Sequence, residues 1–272
     1  MSNESKMSQA SLGPRIDRRT LCGMALMGGL GLIGLANGRL ADAAESTDKQ
    51  GGTAASDAQS EPVKASTFAF NTLVNITAYG VDADVVASCI KDCATYENLF
   101  SARKEGAEIV RINEAGGEPV EVSADTADLI AAGLEYGRQT DGAFDITIGS
   151  VSLLWDFINA VKPTDEEIAE GLKHIDYTQV ALDGTTVTMG DPEARLDLGG
   201  IAKGWIAARL VDKLEQAGCT SGLVDLGTSS VYAIGSKPDG SPWRVGLRDP
   251  KDSMSSLASV VEVCDEAITS SG

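Results

Sequence analysis

Apolar and polar positions carry no periodicity between residues 44 and about 65, and then a clear one. From Thr67 to Tyr79, Phe68, Phe70, Thr72, Val74 and Ile76 recur at every second position, the period of a strand with one buried face. The spacing then lengthens. Val85, Ala87, Ile90, Cys93 and Ala94 form an apolar stripe that predicts a helix from about Ala83 to Leu99. Ser123 is the N-cap of a second predicted helix, with Ala127, Ile130, Ala131, Leu134 and Tyr136 facing a core and Asp141-Gly142 turning the chain at its end. Thr164 followed by Glu167 makes a capping box for a short helix to about Lys173.

Beyond it, Tyr177–Leu182 and Thr185–Met189 flank Asp183-Gly184 and predict a hairpin. A short strand at Arg195–Leu198 should feed a long helix, Ile201–Gln216, followed by strands near Gly222–Asp225, Val231–Ile234, Trp243–Arg248 and Leu257–Cys264. Strands and helices do not alternate regularly, so the predicted class is α+β, with mixed or antiparallel sheets and packed helices.

The N-terminus has a different pattern. Arg18-Arg19 precede an uncharged stretch from Thr20 to Gly38, and Ala41-Asp42-Ala43 follows. Arginine pair, weakly apolar segment and small-x-small site are the parts of a twin-arginine signal peptide over 1–43, with an uncleaved membrane anchor as the alternative. Residues 44–65 read as a flexible linker and 66–272 as one domain, expected outside the cytoplasm, in the periplasm or on the outer face of the cell membrane.

Charge narrows the chemistry. The 272 residues carry 22 basic and 40 acidic side chains, a net charge of −18. A phosphate-tracking surface needs a basic field, so nucleic acid is excluded as a partner. An anionic small ligand would have to be held by local groups: backbone N–H clusters, a lysine or a divalent cation. Cys89 and Cys93 lie four apart on a predicted helix without a histidine or third cysteine nearby, and are expected to be core thiols. His174 is the only histidine and has no nucleophile motif beside it, which leaves it a structural role and removes weight from hydrolase readings.

Three clusters could carry chemistry. In Asp197-Leu198-Gly199-Gly200-Ile201-Ala202-Lys203-Gly204 a strand runs through two glycines into a helix. Such a junction presents free N–H groups and the positive helix end to an anion, and Lys203 adds a full charge. A tight turn with Lys203 in solvent would use the same letters. The second cluster is Thr140-Asp141-Gly142-Ala143-Phe144-Asp145-Ile146-Thr147-Ile148-Gly149, with Trp155 after it. It could line a flat ligand or be a turn and strand packed by its aromatics. The third is Leu223-Val224-Asp225-Leu226-Gly227-Thr228-Ser229-Ser230 with Trp243 to Pro250 beyond. Its hydroxyls suit phosphate or ribose, and a plain hairpin is the alternative.

Taken in this order, the clusters resemble the motifs of the ApbE family of FAD:protein FMN transferases. Phe100-Ser101-Ala102-Arg103 through Ile112-Asn113 is similar to the family's early loop ending in an asparagine. Gly142-Ala143-Phe144-Asp145 with Gly149 and Trp155 resembles its second motif, Asp197 to Gly204 its glycine-lysine motif, and Leu226-Gly227 with Trp243 to Pro250 the following pair. The resemblance implies an ApbE-like flavin-transferase domain that holds FAD across Ala143, Phe144, Asp145, Asp197 and Lys203, with Arg103 lining the same cleft. Lys203 and Asp197 would be its catalytic residues. Magnesium would sit on the diphosphate, with the backbone carbonyl of Gly200 as one ligand.

The activity implied is Mg-dependent transfer of FMN from FAD, through a phosphoester bond, to a Thr or Ser hydroxyl of an acceptor flavoprotein, with release of AMP. The acceptor would carry a Ser/Thr-Gly-Ala-Ser/Thr motif and could be a subunit of a membrane electron-transfer complex. This chain has no such motif of its own, since Asp141-Gly142-Ala143-Phe144 lacks the flanking hydroxyls. The last residues, Ala267-Ile268-Thr269-Ser270-Ser271-Gly272, resemble a family segment that normally precedes a histidine-containing loop, a final helix and the metal-binding Asp and Thr. The expectation is therefore a domain incomplete at its C-terminus, with the remaining metal ligands absent from this chain. The alternative is an exported FAD-binding protein without transferase turnover.

Overall fold

The computed structural model describes residues 61–157, 159–227, 229–249 and 257–270. The signal peptide over 1–43, the linker up to residue 60, and Thr228, Pro250, Ser271 and Gly272 lie outside the described residues.

The first strand pattern folds back on itself. β1 (Val63–Ala69) and β2 (Thr72–Tyr79) pair antiparallel, Ala69 opposite Thr72. The turn residues Phe70 and Asn71 both have left-handed backbone, φ 54° and 58°, as a two-residue hairpin loop requires. The single strand expected from Thr67 to Tyr79 is thus two, because Phe70 keeps the period of two through the turn. Strand also begins at Val63, inside the expected linker.

These strands open a five-stranded antiparallel sheet in the order β1-β2-β6-β7-β10, completed by β6 (Ser221–Leu226), β7 (Ser230–Ile234) and β10 (Ala267–Thr269). One face carries α1 (Ala83–Phe100) and α6 (Ala202–Gln216). Val74 and Ile76 of β2, Val224 and Leu226 of β6, Cys89 and Cys93 of α1 and Leu210 and Leu214 of α6 form the dry centre of this layer. The buried stripe of α1 is Val86, Cys89, Cys93 and Phe100, while Ala87 and Ala94 are exposed. Of the predicted stripe, Cys93 is buried and Val85 and Ile90 pack against the core, so only Ala87 and Ala94 fall off the buried face. Burial pushes the Cys89 thiol up to about 11 and that of Cys93 to about 12, so both are inert core thiols.

Tyr79 and Leu223 alternate with these core residues and so project from the opposite face. There the ribbon of β8 (Trp243–Arg248) and β9 (Leu257–Val263) packs Trp243, Val245 and Val263 against Val231 and Ala233.

A second layer packs beside the first, and the site draws residues from both. This second layer contains α2 (Glu108–Glu114), α3 (Ala124–Gln139), α4 (Gly149–Ser152), α5 (Asp165–Gly171) and a three-stranded antiparallel sheet. That sheet is β3 (Val120–Glu121), β5 (Thr186–Met189) and β4 (Val180–Asp183), in that order. Ser123 caps α3 by accepting from Thr126 N, and Thr164 and Glu167 form the capping box of α5. Residues Tyr177–Gln179, expected as strand, form a 3-10 turn.

Arg195–Leu198 is extended but belongs to no sheet. It makes one parallel bridge, Ile148 to Arg195, and Asp197 N donates to Ile146 O at 2.9 Å. On its other side a side chain replaces a neighbouring strand: Asn113 Nδ2 donates to Leu196 O at 3.0 Å while Leu196 N donates to Asn113 Oδ1 at 2.7 Å. Asn113 thus sits on α2 rather than at the end of a loop. His174 keeps the structural role expected of it, with Nδ1 2.7 Å from Asp191 Oδ2.

Candidate functional site

The glycine-lysine turn is built by one carbonyl. Leu198 O accepts from Ile201 N at 3.0 Å and from Ala202 N at 2.8 Å, closing the turn from which α6 departs. The N–H groups of Lys203 and Gly204 have no backbone acceptor among the described residues, as expected in the first turn of a helix. At Gly200 a Cβ would lie 3.0 Å from Phe144 Cε2, so the missing side chain is what lets the Phe144 ring rest on the turn. That ring also meets Tyr136 edge-on, 6.0 Å between centroids.

Two cavities meet at this turn. The first, of about 440 Å³, brings together Ala143, Phe144, Asp145, Asp197, Gly200 and Lys203. Its far wall is Ser229 and Ser230 on one side and Thr269 and Ser270 on the other, held together where Ser270 N donates to Ser229 O at 3.0 Å and Thr269 pairs with Ser230. The second, of about 550 Å³, shares Asp197, Gly199 and Lys203 with the first and is closed by Phe70, Phe100 and Arg103. Arg103 therefore stands in the adjoining cavity rather than beside Phe144. Its Nη2 donates to the carbonyls of Ser152 at 3.3 Å and Trp155 at 3.0 Å.

Charges at the site are unequally engaged. Asp145 is spent on structure: its Oδ1 accepts from Thr147 N at 2.8 Å and its Oδ2 from Tyr177 N at 2.9 Å. Asp197 accepts from Ser152 Oγ at 2.7 Å on Oδ2 and from Gly199 N at 2.9 Å on Oδ1. Lys203 lacks a carboxylate partner among the described residues, and burial alone draws its ammonium below the usual lysine range. A half-buried cation without a counter-ion at a helix N-terminus, where two cavities meet, is suited to an anionic ligand.

The third cluster divides. Its turn requires glycine at Gly227, φ 72°, where a Cβ would run into the Thr72 side chain, and its serines line the first cavity. Trp243 and Val245 of β8 pack the ribbon instead. Ser152, Ile175, Thr269 and Ser270 also line the first cavity; none was assigned to the site from sequence, Thr269 and Ser270 entering only as part of the C-terminal family-like segment. Thr269 and Ser270 reach the site only through the pairing of β10 with β7, and no local motif announces Ser152.

The donors that could face a metal are oxygens. The Gly200 carbonyl receives no backbone hydrogen bond among the described residues, unlike its neighbours Leu198 and Ile201. No three His, Cys, Asp or Glu side chains among the described residues converge on a metal-sized space. The Gly200 carbonyl is thus a single oxygen donor, of the kind magnesium accepts from a protein when its other ligands come from elsewhere.

A family model described as the ApbE family matches residues 70–272. An FAD:protein FMN transferase from Vibrio cholerae is 30% identical over 178 residues, covering 64% of this chain and 53% of its own. One from Treponema pallidum is 31% identical over 194 residues, covering 65% and 53%. The chain spans about half the length of these curated relatives. Among solved structures, the ApbE protein of Thermotoga maritima matches with a TM-score of 0.69 and 28% identity, over 76% of this chain and 69% of that one. The flavin transferase ApbE from Vibrio cholerae matches with a TM-score of 0.63 and 26% identity, over 68% and 63%.

Proposed function

Because the chain belongs to the ApbE family, we propose that it is an exported flavin transferase that moves FMN from FAD onto a Thr or Ser hydroxyl of a partner flavoprotein, releasing AMP. The observation that carries this reading is Lys203, a half-buried ammonium without a counter-ion among the described residues, at the junction of two adjoining cavities. One cavity can take part of a dinucleotide and the other the remainder or the incoming hydroxyl.

In the proposed step the acceptor oxygen bonds to the phosphorus on the FMN side of the diphosphate. The bond from that phosphorus to the oxygen it shares with AMP breaks, and the hydroxyl proton is lost. Lys203 and the N–H groups of the first turn of α6 would hold the negative charge of the phosphates, and Asp197, with lone pairs to spare, would orient the hydroxyl or take its proton. Phe144 offers a ring face to a flat ligand, and Arg103 bounds the second cavity. Magnesium, bound with the diphosphate near the Gly200 carbonyl, would neutralise phosphate charge. The acceptor is proposed to carry a Ser/Thr-Gly-Ala-Ser/Thr segment and to belong to a membrane electron-transfer complex.

The test is to mix the purified domain with FAD, magnesium and a peptide bearing Ser-Gly-Ala-Thr, and to measure peptide mass and free AMP. Gain of FMN on the peptide together with AMP, both abolished by EDTA, is the expected result. FAD binding without AMP would replace the proposal by a flavin-binding protein that does not turn over. Export is tested separately: Arg18→Lys with Arg19→Lys should retain the protein in the cytoplasm, and unchanged export would remove the twin-arginine reading.

A further inference from the structure

Asp197 and Lys203 line the same two cavities and carry opposite charges, yet they form no ion pair. A carboxylate free to rotate in the same cavity as a half-buried ammonium would be drawn toward it, because the ammonium has lost hydration without compensation. Here both carboxylate oxygens are already held. Oδ1 takes the Gly199 N–H at 2.9 Å, within the turn, and Oδ2 takes the Ser152 hydroxyl at 2.7 Å, from α4.

Ser152 is in turn fixed at its own backbone. Its N–H donates to Ile148 O at 2.8 Å, and its carbonyl accepts from Arg103 Nη2 at 3.3 Å, the same atom that donates to Trp155 O at 3.0 Å. Arg103, from the segment after α1, therefore braces the short helix whose hydroxyl reaches Asp197.

We propose that Ser152 is a positioning residue whose hydroxyl holds the Asp197 carboxylate off Lys203, so that the ammonium stays available to an anionic ligand, with Arg103 bracing the segment that presents it. The inference rests on the proposed function only for the identity of that ligand. Without the hydroxyl, Asp197 closes onto Lys203 and competes with the ligand for it. Arg103 then serves the site through Ser152, in addition to bounding a cavity.

The experiment reads Lys203 directly. The full chain is trace-labelled with acetic anhydride, and acetylation of Lys203 is followed by peptide mass spectrometry in the natural protein, Ser152→Ala, Ser152→Thr, Asp197→Asn and the double variant Ser152→Ala with Asp197→Asn. Ser152→Ala should slow labelling of Lys203 about tenfold, the effect of raising an amine by about one pH unit. Ser152→Thr, which keeps the hydroxyl, and the double variant, which removes the competing charge, should label within about twofold of the natural protein. Asp197→Asn alone should leave the rate unchanged, since the carboxylate is already held away.

Equal labelling of Lys203 in Ser152→Ala and the natural protein would overturn the proposal. So would slow labelling in Ser152→Thr and the double variant as well, which marks a packing defect. Affinities for FAD and for inorganic pyrophosphate, measured on the same proteins, separate the two readings. Both should weaken about tenfold in Ser152→Ala, with one pH unit of amine stabilisation as the competing term. The expected labelling pattern in a protein that binds pyrophosphate but not FAD would sustain the role of Ser152 and remove FAD as the ligand.

Discussion

At the scale of single residues Lys203 is a half-buried cation with no carboxylate partner among the described residues. Burying an ammonium costs free energy unless it is paired, so under the proposed function Lys203 would be a position where stability is given up for binding. Lys203→Ala should therefore lower FMN transfer about a hundredfold, the usual loss when one charge-stabilising donor is removed. The same substitution should leave the thermal midpoint equal or slightly higher. Steady-state transfer and a melting curve on one preparation check both halves.

Asp225 is a second residue out of balance. It is buried on β6, where it accepts from Asn75 Nδ2 at 3.2 Å, and burial raises its carboxyl from 3.8 to about 6. The folded state thus binds more protons than the unfolded chain between those values. The contribution is fully present below about pH 4 and is lost as pH rises through about 6, a change of about 3 kcal/mol at most. Asp225→Asn should flatten that fall, as read by urea denaturation between about pH 4 and 7.

At the scale of elements, α4 is only four residues long, yet it presents Ser152 to Asp197 and lies against the Arg195–Asp197 segment. A Cβ on Gly149 would collide with the Arg195 carbonyl and the Leu196 backbone. Gly149→Ala should destabilise the domain by about 1–3 kcal/mol, because backbone atoms cannot step aside as a side chain can, and it should weaken FAD binding by moving the turn. A chemical denaturation curve and a binding titration test this.

Elements of this size also mark where sequence reading stops. The capping box of α5 and the Ser123 cap of α3 were legible because each signal lies within four residues of the boundary it sets. The extent of α6 was legible because fifteen residues give its apolar stripe room to repeat. The break at Phe70-Asn71 was hidden because the turn keeps the strand period. Arg195–Leu198 looked like strand because its backbone partner on one side is the Asn113 side chain, which no alternation can announce. The glycine-lysine turn and the Phe144 run were both legible as candidates from their letters. Ser229, Thr269 and Ser270 converge only through β7–β10 pairing.

At the scale of the whole molecule, a net charge of −18 surrounds a site proposed for an anionic dinucleotide. The long-range field repels the ligand while Lys203 and the helix end attract it at contact. Salt screens interactions beyond about 10 Å at 0.1 M far more than those at contact. The association rate of FAD should therefore rise, not fall, as salt goes from low values to about 0.15 M, which stopped-flow fluorescence would record. A falling rate would mean that the approach to the cavity carries a local basic field strong enough to overrule the global one.

The wall that the two cavities share has a kinetic meaning. Asp197, Gly199 and Lys203 belong to both, so in the proposed reaction donor and acceptor would occupy the protein together, neither leaving before the other arrives. Initial velocities measured against both substrates should then give intersecting reciprocal plots, with no flavin recovered covalently on the enzyme. Parallel plots would instead describe an enzyme that carries the flavin itself between two separate encounters.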